Sequence, residues 1–223
     1  VYEINGRLVG SNLTTKAHVR VSSQVVAGNN ISKQWTGSQL PAAIVSNTGG
    51  DDSANALNDL TVSRTPTDAK NRWTTWRTNT DNDWASILFG NSGDLTKRFV
   101  NNLSVDFYTD GAIGLPKEYV VEYYVGKEIP DLPSDVSNAQ RDSNHPFNNP
   151  ENWIAVPYHA NKDIEAGDEI NVTFKEVKAK AMRWRMERKA DKSGVAMIEM
   201  TFLAPSELPQ ESTQSKILVD GKE

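Results

Sequence analysis

Residues 102–111 read NLSVDFYTDG. Leu103, Val105 and Phe107 alternate with Ser104, Asp106 and Tyr108, so an extended backbone here has one apolar and one wetter face, and the run ends on Asp110-Gly111, a turn pair. The same period of two recurs along the chain. EYVVEYYVG (118–126) puts Tyr119, Val121, Tyr123 and Val125 on one face, and INVTFKEV (170–177) does so with Ile170, Val172 and Phe174. AMRWRMER (181–188) points Met182, Trp184 and Met186 inward and Arg183 and Arg185 away. In VAMIEMTFL (195–203), strict alternation gives Ala196, Ile198, Met200 and Phe202 one face and Glu199 the other. Short runs of this kind, separated by Gly, Asn, Asp and Pro clusters and without a 3.6-residue rhythm, predict an all-β, antiparallel sandwich of jelly-roll type.

With 223 residues the chain is long enough for one large β domain with appendages. A formal charge of −5 with no clustered Lys and Arg argues against a nucleic-acid partner. No apolar run approaches the length of a membrane span, so no insertion into a bilayer is expected. The absence of cysteine removes thiol catalysis, thiolate metal sites and disulfides together. No HExxH, GxSxG, Walker A or Gly-rich dinucleotide turn is present, and His18, His145 and His159 have no metal-ligand spacing, so the chain is expected not to be an enzyme.

Two long polar stretches interrupt the strands. One, AGNNISKQWTGSQ (27–39), carries Lys33 and Trp35; the other, between Gly126 and Ile170, carries Asn152, Trp153, Tyr158 and His159. Long loops inside compact domains are disproportionately functional. A sugar offers a C–H face that packs on an indole and a rim of hydroxyls that need partners, and both stretches place a tryptophan among Asn, Lys, Gln, Tyr or His. Trp153 and Trp35, with Lys33, Asn152, Tyr158 and His159, are therefore the candidate sugar-binding residues. The competing reading of Trp153 is packing, since it directly precedes a strand.

The blocks LPAAIVS (40–46), ALNDL (56–60), RWTTW (72–76), WASILFG (84–90), NLSVDFYTDG, LPKEYVVEYYVG (115–126), ENWIAV (151–156), FKEVKAKAMRWRME (174–187) and VAMIEMTFL stand in the order of the discoidin-like, galactose-binding-domain-like β-sandwich. The resemblance covers about residues 38–204. It is strongest to the family 71 carbohydrate-binding modules of streptococcal surface β-galactosidases. It implies a non-catalytic, lectin-like module that binds terminal galactose or galactosides such as lactose and N-acetyllactosamine, within a multimodular glycosidase on the bacterial cell surface or in the cell wall. Its partners would be glycans and the neighbouring domains of the same polypeptide. The alternative on the same fold is a spacer or protein-adhesion domain without a sugar site.

The resemblance further implies that Trp76 and Trp84 fill the inter-sheet core. It implies a structural calcium as well, held by Asp59 and by Glu199 on the last strand, with the main-chain oxygens of Leu57 and Ile198 as additions. Leu60 stands where many relatives have glycine. Residues 1–26 are similar to a closing hairpin of a bacterial Ig-like domain, EINGRLVGSNL turning into AHVRVSS. Three regions are expected: 1–37, an N-terminal hairpin and loop packed on the sandwich; 38–205, the sandwich; and 206–223, a linker with the start of a next domain.

Overall fold

The computed structural model describes residues 2–4, 7–9, 30–32, 40–49, 53–65, 71–90, 97–128 and 144–205. The chain divides into two compact units, 1–27 with 206–223, and 28–205. In the first, β1 (Tyr2–Ile4) pairs antiparallel with β2 (Arg7–Val9), Ile4 opposite Arg7. Both strands fall inside EINGRLVGSNL, the first part of the hairpin read above, so this pairing precedes AHVRVSS, which lies outside the described residues.

The second unit contains β3 (Ala42–Val45), β4 (Trp73–Thr74), β5 (Asn82–Leu88), β6 (Arg98–Tyr108), β7 (Glu118–Tyr124), β8 (Trp153–Ala155), β9 (Tyr158–Ala160), β10 (Glu169–Ala179), β11 (Ala181–Glu187) and β12 (Ala196–Leu203). They form two five-stranded sheets, ordered β4-β12-β6-β10-β9 and β3-β5-β11-β7-β8, with each neighbouring pair antiparallel. The all-β sandwich expected from alternation is present. The long connection after Gly126 supplies the two short edge strands, β8 to one sheet and β9 to the other.

The core lies between the sheets. Leu103, Val105 and Phe107 of β6 and Ile170, Val172 and Phe174 of β10 meet Val121 of β7 and Met182, Trp184 and Met186 of β11, as their alternation predicts. The Trp184 ring stacks on Tyr119 with centroids 4.0 Å apart and takes Phe107 edge-on at 5.9 Å. Alternation fails in β10, which shifts register against β6 between Thr173 and Val177, and in β12. β12 shifts register against β6 between Met197 and Glu199, a β-bulge, so Val195 and Met197 face the core before it and Met200 and Phe202 after it. Ala196 and Ile198 fall instead on the outer face, beside Tyr108 and Ile113. An extra residue in one strand reverses the facing of everything beyond it, and strict counting could not see that.

The tryptophans are also redistributed. Trp73, fully buried, is the core residue of its pair, with its Nε1 donating to the Asn47 carbonyl at 2.7 Å. Trp76, three residues on, cannot share its face and rests half-buried on the outer-face cluster of Tyr108, Ile113, Ala196 and Ile198. Trp84 is buried, but on the outer face of the second sheet, because Ala85 and Ile87 of β5 take the inner positions. The expectation that Trp76 and Trp84 fill the space between the sheets is corrected on both counts.

Truncation of Trp184 should cost about 3–5 kcal/mol in equilibrium urea unfolding. Val62→Ala, at a side chain 51% exposed, should stay within about 0.5 kcal/mol in the same assay.

Candidate functional site

The outer face of the second sheet is apolar at Ala42, Ile44, Trp84, Leu88 and Tyr124 and therefore needs a cover. The segment 145–153 supplies it. Pro146–Asn148 and Pro150–Asn152 are 3-10 turns with proline in the first turn, and the side chains of His145 and Asn149 accept hydrogen bonds from Phe147 N and Glu151 N. They place Phe147 and Trp153 against Trp84 and Tyr124, with ring centroids 4.9–6.2 Å apart. Beneath them Arg183, 3% exposed, donates to Glu122 at 2.6 Å and to the Phe147 carbonyl at 3.0 Å. Burial pushes the Arg183 guanidinium down to about 10, against the pull of Glu122.

Trp153 is part of this cover. It is 6% exposed, Arg183 lies 4.2 Å over its ring, and its Nε1 donates to the Phe147 carbonyl at 3.0 Å. In this arrangement it has no open ring face, so the packing alternative describes its position. Asn152 turns its amide to the Pro146 carbonyl at 2.9 Å. Tyr158 and His159 lie elsewhere, on β9 at the edge of the other sheet. Tyr158 stacks on Tyr119 at 5.2 Å and donates to its carbonyl at 3.2 Å, while His159, its neighbour on a strand, faces the other way and is exposed. The structure thus does not bring Asn152 and Trp153 together with Tyr158 and His159. Trp35 and Lys33 lie outside the described residues.

Among the described tryptophans only Trp76 is not buried. It sits in the β4–β5 loop, whose backbone is held from many sides. Trp76 N donates to Thr74 Oγ1 (3.1 Å) and Arg77 N to the Ser193 carbonyl (3.2 Å), and Arg188 Nε reaches the Thr80 carbonyl (3.1 Å). Thr80 and Ser46 donate to the buried Asp83 carboxylate, whose pKa burial raises against those two bonds. A Cβ on Gly49 would stand 2.0 Å from the Trp76 carbonyl oxygen, so the backbone passes there only because residue 49 has no side chain. Arg77 and Asn79 both hold positive φ, 62° and 58°. Non-glycine residues in this region are held there by their surroundings, and such residues cluster at ligand sites. The loop presents a half-buried indole with the Arg77 guanidinium 4.0 Å over it, and an exposed Asn79 two residues further along the same loop. The signal in the sequence was parity: Trp76 is an odd number of residues from the core Trp73 and is followed by the polar run RTNTDN.

The acidic pair lies next to the bulge. Glu199 is 4% exposed, and its Oε2 accepts from Leu60 N at 3.0 Å. Leu60 holds φ 67°, the left-handed conformation that a glycine would take without strain. Burial first, and then the negative charges of Asp59 and Asp106, push the Glu199 carboxyl up to about 8. Asp106 itself is paired with Arg64 at 2.6 Å. Leu57 and Ile198, which precede Asp59 and Glu199 in sequence, are buried. Among the described residues, no group of three His, Asp or Glu side chains is placed to hold a metal ion.

The family model for the β-galactosidase-like, galactose-binding domain matches residues 43–200. The chain belongs to that family. This galactose-binding domain is also 39% identical to a chain solved from the Streptococcus pneumoniae β-galactosidase BgaA, with a TM-score of 0.74; the match covers 80% of the present chain and 99% of that one. The lectin domain of lectinolysin, solved with Lewis B antigen, is 12% identical with a TM-score of 0.51, covering 79% and 97%, and shares the fold. No curated protein matches. Among the described residues, no helix of the domain is long and apolar enough to cross a membrane.

Glu199 makes stability depend on pH. Below pH 4.5 the carboxyl is protonated in both folded and unfolded chains. Above it the unfolded chain releases the proton while the folded one keeps it to about 8, so the folded state binds more protons and stability falls with rising pH across that window. In chelator-containing buffer, Glu199→Gln, which keeps an acceptor for Leu60 N, should flatten this fall and melt higher than the wild type at pH 8; equal slopes in the two proteins would show Glu199 is not its source.

Proposed function

We propose that the domain is a non-catalytic module that recognises terminal galactose or galactosides such as lactose and N-acetyllactosamine, and that it acts extracellularly to hold a multimodular glycosidase, or the cell bearing it, on galactosylated glycans. Tethering of this kind raises the enzyme's concentration at its substrate without any new contact at the active site. The observation that carries the sugar platform is that Trp76, alone among the described tryptophans, keeps its indole partly open. It does so in a loop whose strain and bracing fix Arg77 and Asn79 around it. In this reading a galactose takes the guanidinium's place on the ring face, and Arg77 and Asn79 meet its hydroxyls at the rim. Tyr158, with an open ring on β9, is the second choice, with His159 beside it; Trp35 with Lys33 is the third.

A shallow site with one stacking ring and a few hydrogen bonds exchanged against water should bind in the millimolar to high-micromolar range, roughly −4 to −6 kcal/mol. Calorimetric titration with lactose should show binding where glucose shows none. Trp76→Ala should weaken it at least tenfold, about 1.4 kcal/mol. Asn79→Gly, which suits the backbone and removes only the amide, should weaken it several-fold with the melting temperature held. Normal binding by both variants, with loss in Tyr158→Ala or Trp35→Ala, would move the platform to that residue. An equal response to lactose and glucose would favour the spacer reading.

We also propose that calcium binds between Asp59 and Glu199. The fit rests on a buried carboxylate that, among the described residues, has no ion-pair partner and feels the negative charge of Asp59 more than that of Asp106. Since, among the described residues, no group of three acidic side chains is placed to hold a metal ion, the remaining oxygens of a six- to eight-fold shell would come from main-chain carbonyls, such as those of Leu57 and Ile198, and from water. Bound calcium would tie a loop near residue 59 to the last strand and stabilise by mass action. Calcium should therefore raise the wild-type melting temperature, and Asp59→Ala should abolish that rise. Identical melting with calcium and with chelator would exclude the ion.

A further inference from the structure

The strand registers set the Trp76 loop at one end of the sandwich, where β6 finishes at Tyr108. At the other end, roughly 33 Å away along this 11-residue strand, lies a cavity of about 430 Å³. It is lined by Tyr123 through Lys127, at and just after the end of β7, and by Lys97, Lys178 and Lys180. Tyr124 is held in place there, since its hydroxyl donates to the Glu128 carbonyl. Gly126 lies so close that a Cβ there would stand 2.3 Å from the Tyr124 hydroxyl oxygen, so no side chain can fill the cavity from that position. Next to it Phe99 is 48% exposed, with the Lys178 ammonium 4.7 Å over its ring.

The charge of this cavity is at odds with the chain. The protein carries −5 overall, yet four lysines and no acidic residue line this cavity. Among the described residues, the ion pairs engage Arg64, Lys117, Arg183, Arg185, Arg188, Lys189 and Lys192, and none of the four. Four like charges around a low-dielectric cleft repel one another and focus a positive potential into it. The volume is that of a small-ligand pocket, and Tyr123 supplies ring surface of the kind a pyranose packs on.

We propose that this lysine-rimmed cleft is a second saccharide site, one that takes a sugar bearing an anionic group, a carboxylate or a sulfate. The anion sits among the lysines and the ring packs on Tyr123. The site is separate from the galactoside platform, so both can be filled at once, and each can fail without the other.

The test uses the full chain with amide chemical shifts as the readout, and glucuronate, glucose 6-sulfate, glucose and sodium sulfate as probes at equal concentration and low salt. The expected result is saturable shifts at Tyr123–Lys127 and Lys178–Lys180 with one or both acidic sugars, little with glucose or sodium sulfate, and the same shifts in Asn79→Gly or with lactose saturating. Lys97→Glu with Lys180→Glu should weaken the acidic sugar at least tenfold and leave lactose affinity unchanged, and added salt should weaken it steeply. The acidic sugar that responds tells carboxylate from sulfate. Equal shifts with sodium sulfate would show a site for the bare anion only and overturn the saccharide assignment. No shifts with either acidic sugar, or undiminished binding by the double variant, would overturn the site itself.

Discussion

The fold turns on the placement of one indole. Trp184 fills the gap between the sheets, stacked on Tyr119 and edged by Phe107, and its inward position forces Arg183 and Arg185 of the same strand outward. An arginine on a face that is then roofed over cannot remain alone in a dry environment. Glu122, on the adjacent strand, answers both arginines, and the Phe147 carbonyl completes the Arg183 shell. The roof of Phe147 and Trp153 is thus tied down by polar bonds as well as by ring packing. Removing one partner of the buried pair would leave a stranded charge, so the pair specifies where the roof docks more than it adds to net stability.

This dependence explains how much could be read from residues alone. The inner faces of β6, β7, β10 and β11 were legible because alternation is a local property, and the stretches Leu103–Phe107, Tyr119–Tyr123, Ile170–Phe174 and Met182–Met186 keep it, although β10 breaks it further on. Trp153 was ambiguous for a physical reason. An indole among Asn, Tyr and His has the composition of a sugar platform and also that of a roof over a buried arginine, and the difference is made by Arg183 thirty positions later. The bulge in β12 was invisible for a related reason. One added residue has no composition signature, yet it reassigns Ala196 and Ile198 to the outer face and sets Glu199 beside the loop of Leu60.

The candidate sites show the same division. Strict alternation separates Trp73 and Trp76 onto opposite faces, but the resemblance decided which of them faced inward and chose Trp76, whereas Trp73 is the core residue. The lysine cleft had no sequence signal, because its four lysines come from the start of β6, the end of β7 and the β10–β11 turn, and only the closing of the two sheets assembles them. The acidic pair lies between these cases. Its two residues were picked out by the resemblance, whereas the left-handed conformation of Leu60, where relatives carry glycine, shows that the loop keeps its shape at some cost in backbone strain.

Near the start of the sandwich, Asn30 bridges to Leu203, Ile31 N donates to the Phe202 carbonyl, and Ser32 Oγ accepts from Phe202 N at 2.6 Å. The chain therefore enters and leaves this body at one point, closed by a single clasp. Its mechanical consequence is that a pull on the two ends would load the clasp first and bypass the strands that carry the loops at both ends of the sandwich. Under shear or tension, the clasp would open as a fuse before the binding surfaces deform.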